Sequence, residues 1–222
     1  MNTKAICLAI ISSLLVACGG GGGDDSPSMV GTEVQTRSES VGVFLDSPVR
    51  GLHYETPTRS GLTNAQGEFT YLEGERVTFF LGITKLGSAQ GAATITPFSL
   101  YSMTALTRES EISAVLINSE ISSFDRAINV ATLLQTLDRD SNPDNGIDLG
   151  SAHAELSEIT VNLSVKASAF VNDTSLDAAK TVVGISTRRK LDQVASHLYQ
   201  SLNLSIKSDL VNQATASFNS MQ

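Results

Sequence analysis

Residues 41–98 alternate apolar and polar positions in short runs. "VGVFL", "RGLHYET", "GEFTYLEG" and "RVTFFLGITKLG" are rich in β-branched and aromatic residues. Gly, Asn and Pro separate them, with breaks at Glu73-Gly74 and Gly82 and a close at Gly87. Short strands at this spacing predict an antiparallel sandwich or small barrel. After Pro97 the period changes. In "SSFDRAINVATLLQTL", Ile128, Ala131 and Leu134 recur beside Val130, Leu133 and Leu137, which predicts a helix. Ser122 or Ser123 is suited to cap its start. "TRRKLDQVASHLYQSL" places Leu191, Val194, Ala195, Leu198 and Leu202 on one face and predicts a second helix. "YSMTALTRESEISAVLINS" carries a partial stripe through Leu106, Ile112, Val115 and Leu116. Between 152 and 183 the pattern is weak: "EITVNLSV" suits a strand and "LDAAKTVV" a short helix. The tail beyond 205 suggests a fraying helical end.

The N-terminus follows a different logic. Lys4 precedes the apolar run "AICLAIISSLLVA", which has signal-peptide length and is too short to span a bilayer. The run ends in Leu15-Val16-Ala17-Cys18, which resembles the lipobox of bacterial lipoproteins. The resemblance implies cleavage after Ala17, a lipid on Cys18 as first mature residue, and Gram-negative outer-membrane sorting, because Gly19 rather than Asp follows. Cys7 would leave with the signal, so no mature thiol would remain for a disulfide or a metal. "GGGGGDDSPS" offers nothing apolar to bury and suits a flexible tether. The expected organisation is signal at 1–17, lipidated cysteine and tether at 18–40, β-module at 41–98 and a mainly helical region at 99–222.

Thr63, Gly67, Phe69 and Tyr71 form a T-x-x-x-G-x-F-x-Y pattern. It resembles the carboxypeptidase-regulatory or collagen-adhesin B-type module, a prealbumin-like β-sandwich. Asn64 to Gly67 would make the turn, and Phe69 and Tyr71 would share a buried face. The fold class expected is therefore α+β: a small antiparallel prealbumin-like sandwich followed by a mainly helical C-terminal part. The two parts are expected to pack together, since neither is large.

Composition narrows the function classes. The 222 residues are 41% hydrophobic, enough for a core, but only 5% aromatic and without Trp. The formal charge of −8 offers no basic face for phosphates, so nucleic acid is not an expected partner. "RRK" at 188–190 is the sole basic cluster. It stands at a helix start, where it opposes the helix dipole, and suits a solvated face or pairing with nearby acids.

"LDRDSNPDNGIDL", residues 137–149, is the densest carboxylate run. Asp138, Asp140 and Asn142 take the first, third and fifth places of an EF-hand-like calcium loop, and the Asp144 carbonyl takes the seventh. Asp148 would serve only in a shortened loop. Pro143 stands where glycine's freedom is needed, and Leu149 replaces the bidentate glutamate. Two readings stay open at 138–148: a Ca²⁺ site that braces the fold, and an Asx-rich turn without metal. The wider stretch from Asn129 through Leu133, Leu134, Gln135, Asp138, Asp140, Pro143, Asn145, Gly146 and Ile147 resembles a segment of bacterial secreted and surface lipoproteins that follows a similar β-module. That resemblance implies an architecture and no particular activity.

No catalytic motif stands out. G-x-S-x-G, the phosphate loop and the dinucleotide fingerprint are absent from the sequence. His53, His153 and His197 lack metal-ligand spacing and read as surface or boundary residues. The expectation is a non-enzymatic, lipid-anchored envelope protein. It would reach the membrane through its N-terminal lipid and bind or assemble with an envelope or surface protein. The alternatives are a periplasmic accessory or ligand-binding subunit of an envelope machine or transporter, and a hydrolase with an unconventional site.

Overall fold

A computed structural model describes residues 37–204. The lipobox with Cys18, most of the tether and the tail beyond 204 lie outside the described residues. The chain is mixed α+β. The strands are β1 (Glu39–Phe44), β2 (Val49–Arg50), β3 (His53–Glu55), β4 (Ser60–Leu62), β5 (Glu68–Leu72), β6 (Arg76–Leu81), β7 (Thr84–Gln90), β8 (Thr94–Ile95) and β9 (Ile147–Asp148). The helices are α1 (Glu109–Ile117), α2 (Ser123–Thr136), α3 (Ala152–Glu155), α4 (Ala167–Phe170), α5 (Thr174–Val183) and α6 (Leu191–Ser201).

Three sheets form. β1 lies between β5, antiparallel, and β8, parallel. β4-β3-β6-β7 is wholly antiparallel. β2 pairs in parallel with β9 from the Asp-rich region. The all-antiparallel expectation therefore misses two pairings, both made with short strands that return from further along the chain. Aromatic rings join the two larger sheets. Phe79 lies 4.8 Å from Phe44 and meets Phe69 edge-on at 5.2 Å, and Tyr54 lies 5.8 Å from Phe69.

The T-x-x-x-G-x-F-x-Y stretch folds as its residues dictate. Asn64 Oδ1 accepts from the Gln66 and Glu68 amides, and the Gly67 amide donates to the Asn64 carbonyl. Gly67 has φ of 73°, and a Cβ there would stand 2.8 Å from the Phe44 carbonyl, so glycine is required. Phe69 and Tyr71 are both buried. Thr63 is buried too; its Oγ1 donates to the Val49 carbonyl and accepts from the Leu52 amide. β7 runs past Gly87 to Gln90, further than the sequence suggested. A register shift at Phe79/Phe80 lets Gly87, φ 145°, continue the pairing, and Leu100 packs where a Cβ would be.

α2 is the spine. Ser122 caps it: Ser122 Oγ accepts from the Asp125 amide, and Asp125 Oδ2 accepts from the Ser122 amide. Val130, Leu133 and Leu134 pack into the core shared with the sheets, while Phe124, Ala127, Ile128 and Ala131 pack with α6 residues Leu191, Val194, Ala195 and Leu198. Buried nearly all round, α2 gives the amide donors of its polar side chains definite partners, while Asn129 Oδ1, Gln135 Oε1 and Thr136 Oγ1 have none among the described residues. Asn129 Nδ2 donates to the Leu163 and Val165 carbonyls, and Gln135 Nε2 donates to Asp46 Oδ1 and the Val194 carbonyl. The β-part and the helical part thus share one core. "LDAAKTVV" falls within α5; "EITVNLSV" is extended but pairs with no sheet.

Candidate functional site

The Asp-rich stretch leaves α2 and returns as β9, which fixes both ends of the loop. Asp138 closes its neck. Asp138 Oδ1 accepts from the Asp148 amide at 3.0 Å, and the Arg139 amide donates to the Asp148 carbonyl. Asp138 is fully buried, and its Oδ2 has no hydrogen-bond partner among the described residues. The Asp140 carboxyl stands against it; burial first, and then that neighbour, push the Asp138 carboxyl up to about 6. Asp140 takes the charge of the pair. Asn145 Nδ2 and the Asn142 amide donate to it and hold its carboxyl below the usual range.

The other two aspartates turn elsewhere. Asp148 Oδ2 accepts from Arg50 at 2.9 Å, and Asp144 Oδ1 pairs with His197 Nδ1 at 3.0 Å. Asn142 precedes a short 3₁₀ turn, 143–145, that begins with the buried Pro143. The loop thus brings Asp138 and Asp140 together, with Asn142 in the turn that follows, and directs Asp144 and Asp148 outward to other elements. Among the described residues, no group of three or more His, Cys, Asp or Glu is placed to hold a metal ion.

A polar cluster lies where the β1–β2 turn, the Asp-rich loop and α6 meet. His197 is buried there, not on a solvated face. Ser47 Oγ lies 3.0 Å from His197 Nε2, opposite the Asp144 contact. Since a carboxylate only accepts, Nδ1 carries the ring proton, and neutral His197 accepts the Ser47 hydroxyl proton at Nε2. Burial holds the His197 pKa down despite Asp144, so the ring is neutral near pH 7. Next to Ser47, Asp46 is fully buried; burial pushes its carboxyl up to about 8 against the Gln135 hydrogen bond and the Arg189 charge.

Comparison with family models, curated proteins and solved structures finds no match.

The reading of this cluster therefore rests on its geometry. Ser47, Asp144 and His197 are far apart in the chain and match no spacing rule, so the sequence did not group them. A local signal existed in Asp46-Ser47-Pro48. Ser47 has φ of 59°, a left-handed turn forced immediately before a proline. The other histidines also meet unexpectedly: the His53 and His153 rings lie 4.6 Å apart, and His153 Nδ1 accepts from the Gly82 amide. Of the basic cluster, Arg188 pairs with Asp177 and Arg189 donates to the Ser141 carbonyl, both away from a continuous basic face.

Two open clefts lie near these elements. One, of about 490 Å³, runs between β7 and the extended 160–164 segment, with Lys85, Tyr101 and Arg126 in its walls. The other, of about 320 Å³, is lined by Pro48, Arg50, Asp140, Asn145 and Asp148, among others. Among the described residues no helix is long and apolar enough to cross a membrane.

Proposed function

We propose that this is a lipid-anchored protein of the Gram-negative outer membrane. It holds an α+β body away from the bilayer on a glycine-rich tether and works there by binding an envelope or surface protein. The observation that carries this is the sequence from Leu15 to Gly23: a lipobox cysteine followed at once by five glycines. Among the described residues the first strand starts at Glu39, near the end of the tether composition. We read residues 41–98 as a prealbumin-like module, supported by the Asn64–Gly67 turn and the inward Phe69 and Tyr71. Metabolic labelling with radioactive palmitate is the test. The wild-type chain takes label and sediments with outer membranes; Cys18→Ala loses both properties. A wild-type chain that stays unlabelled and soluble removes the proposal.

The cleft of about 490 Å³ between β7 and the 160–164 segment favours a second reading, an accessory subunit that takes a ligand between its β and helical parts. Protease added to intact cells separates the two: surface display gives cleavage, and periplasmic placement gives protection.

Calcium belongs to this reading as a brace for the loop. Above pH 6 both Asp138 and Asp140 are ionised, and a cation between them would relieve the repulsion and satisfy the unpartnered Asp138 Oδ2. At pH 7.5, chelator is expected to lower the melting temperature by about 2–4 °C for each kcal/mol of binding free energy removed. Asp138→Ala with Asp140→Ala abolishes that response. An unchanged melting temperature in wild type refutes the brace.

A further inference from the structure

We propose that Ser47 is a nucleophile for acyl transfer from a small polar carboxylic ester, an activity beyond the binding role above. Three elements supply the parts. The turn between β1 and β2 presents Ser47, α6 supplies His197 as base, and the loop before β9 supplies Asp144 as the group that orients the base. The contacts are 3.0 Å from Ser47 Oγ to His197 Nε2 and 3.0 Å from His197 Nδ1 to Asp144 Oδ1. Such a chain polarises the hydroxyl and fixes the tautomer in which Nε2 is the acceptor. The left-handed backbone at Ser47 is a strained placement of the kind that occurs where a side chain must be aimed.

The parallel pairing of β2 with β9 holds the arrangement together. It ties Val49 to Ile147 and Arg50 to Asp148, a few residues beyond Ser47 and Asp144. The cleft of about 320 Å³ begins at Pro48 and Asn145, the residues immediately after Ser47 and Asp144. Its walls carry Arg50, Asp140 and Asp148, which suits a polar acyl or alcohol group and not a long apolar one. Ser47 keeps 8% of its surface exposed, so only a small acyl group can approach.

The step balances with water as the only co-reactant. Ser47 Oγ bonds to the ester carbonyl carbon while its proton passes to His197 Nε2. The carbonyl π electrons move to oxygen. When they return, the carbon–alkoxy bond breaks, and the leaving oxygen takes the proton from Nε2. Water, deprotonated by the same nitrogen, then adds to the acyl-serine; the acid departs and Ser47 regains its proton. Pro48 has no N–H to offer the developing oxyanion. Arg189, whose positive charge acts on both Asp46 and His197, is the cation of the cluster assigned that task.

The test treats the full chain, purified in detergent, with a small fluorophosphonate and locates the adduct by peptide mass spectrometry. Labelling of Ser47 in folded wild type is expected, with none at that peptide in Ser47→Ala. His197→Gln and Asp144→Asn should slow it by at least about tenfold. Asp144 has a side chain 75% exposed, so Asp144→Asn keeps the fold and remains decisive if His197→Gln does not. No adduct at Ser47 overturns the proposal. So does an adduct that forms equally fast in Asp144→Asn, since that describes a merely exposed hydroxyl.

Discussion

Asp125→Ala is expected to lower the unfolding free energy by about 3–5 kcal/mol, measured as a fall in the urea midpoint at an unchanged slope. The Asp125 carboxylate is fully buried and accepts four hydrogen bonds. They come from the Ser122 amide at 2.9 Å, Ser122 Oγ at 2.6 Å, the Ala167 amide at 3.0 Å and Lys166 Nζ at 2.9 Å. Truncation removes the side-chain half of the α2 capping box and strands the Ala167 N–H. It also leaves the Lys166 ammonium, whose side chain is 12% exposed, with only the Val115 and Glu120 carbonyls. Unpaired buried charge is the larger part of that loss. Adding Lys166→Met should therefore recover part of it. A loss under about 1 kcal/mol from Asp125→Ala would mean that the network contributes little beyond an exposed cap.

Stability should fall as pH rises from 6.5 to 8, by about 1 kcal/mol, and Asp46→Asn should remove the fall. The sign follows from the Asp46 carboxyl. Its folded pKa is raised from 3.8 to about 8, so across this window the folded state holds a proton that the unfolded chain has released. Stability is full below the unfolded pKa and is lost as pH climbs through the folded one, at up to about 1.4 kcal/mol per unit. Asp138, raised to about 6, acts with the same sign but lower down. His153 and His197, both held down by burial, act oppositely below 6.5, where the unfolded chain binds the protons. Across the window from 6.5 to 8 the Asp46 loss outweighs the opposing histidine gain, which fades above pH 7, and Asp46→Asn separates the two. Asparagine keeps the bond from Gln135 Nε2 to Oδ1 and removes the titration. Urea titrations at four pH values across the window decide it; a wild-type stability that rises or stays level would place the ionised form of Asp46 in the fold.

Both predictions concern buried charges, and these were the part of the molecule least legible in the sequence. Periodicity reads apolar faces. It located α2 within one residue and α6 within four, and the turn chemistry of Asn64 to Gly67 located the β5 entry. It read Ser122 as one of two caps, and the structure selects it. His197 read as a surface or boundary residue and Asp46 was not singled out, because their neighbours gave them no contrary pattern. Their burial comes from elements about 90 and 150 residues away in sequence: Gln135 against Asp46, and Ser47 against His197. The Asp-rich loop was legible as a feature but not in its division of labour. A run of alternate carboxylates suggests convergence on one point. The return of the chain as β9 instead aims Asp148 at Arg50, and the proline turn aims Asp144 at α6. Gly87 was misread as a strand end because glycine weakens a strand in general, whereas here the extra residue Leu86 bulges from β7 beside it and the ladder continues.

The joining of β2 to β9 and of Ser47 to His197 also sets the order in which the molecule can be completed. The first strand leaves synthesis long before its partners. Asp46 waits for residue 135, β2 for residue 147, and Ser47 for residue 197. Pairings this remote are reached late and slowly, because each must first close a long stretch of chain. The same long-range contacts that lock the finished body delay its locking until α6 has been made.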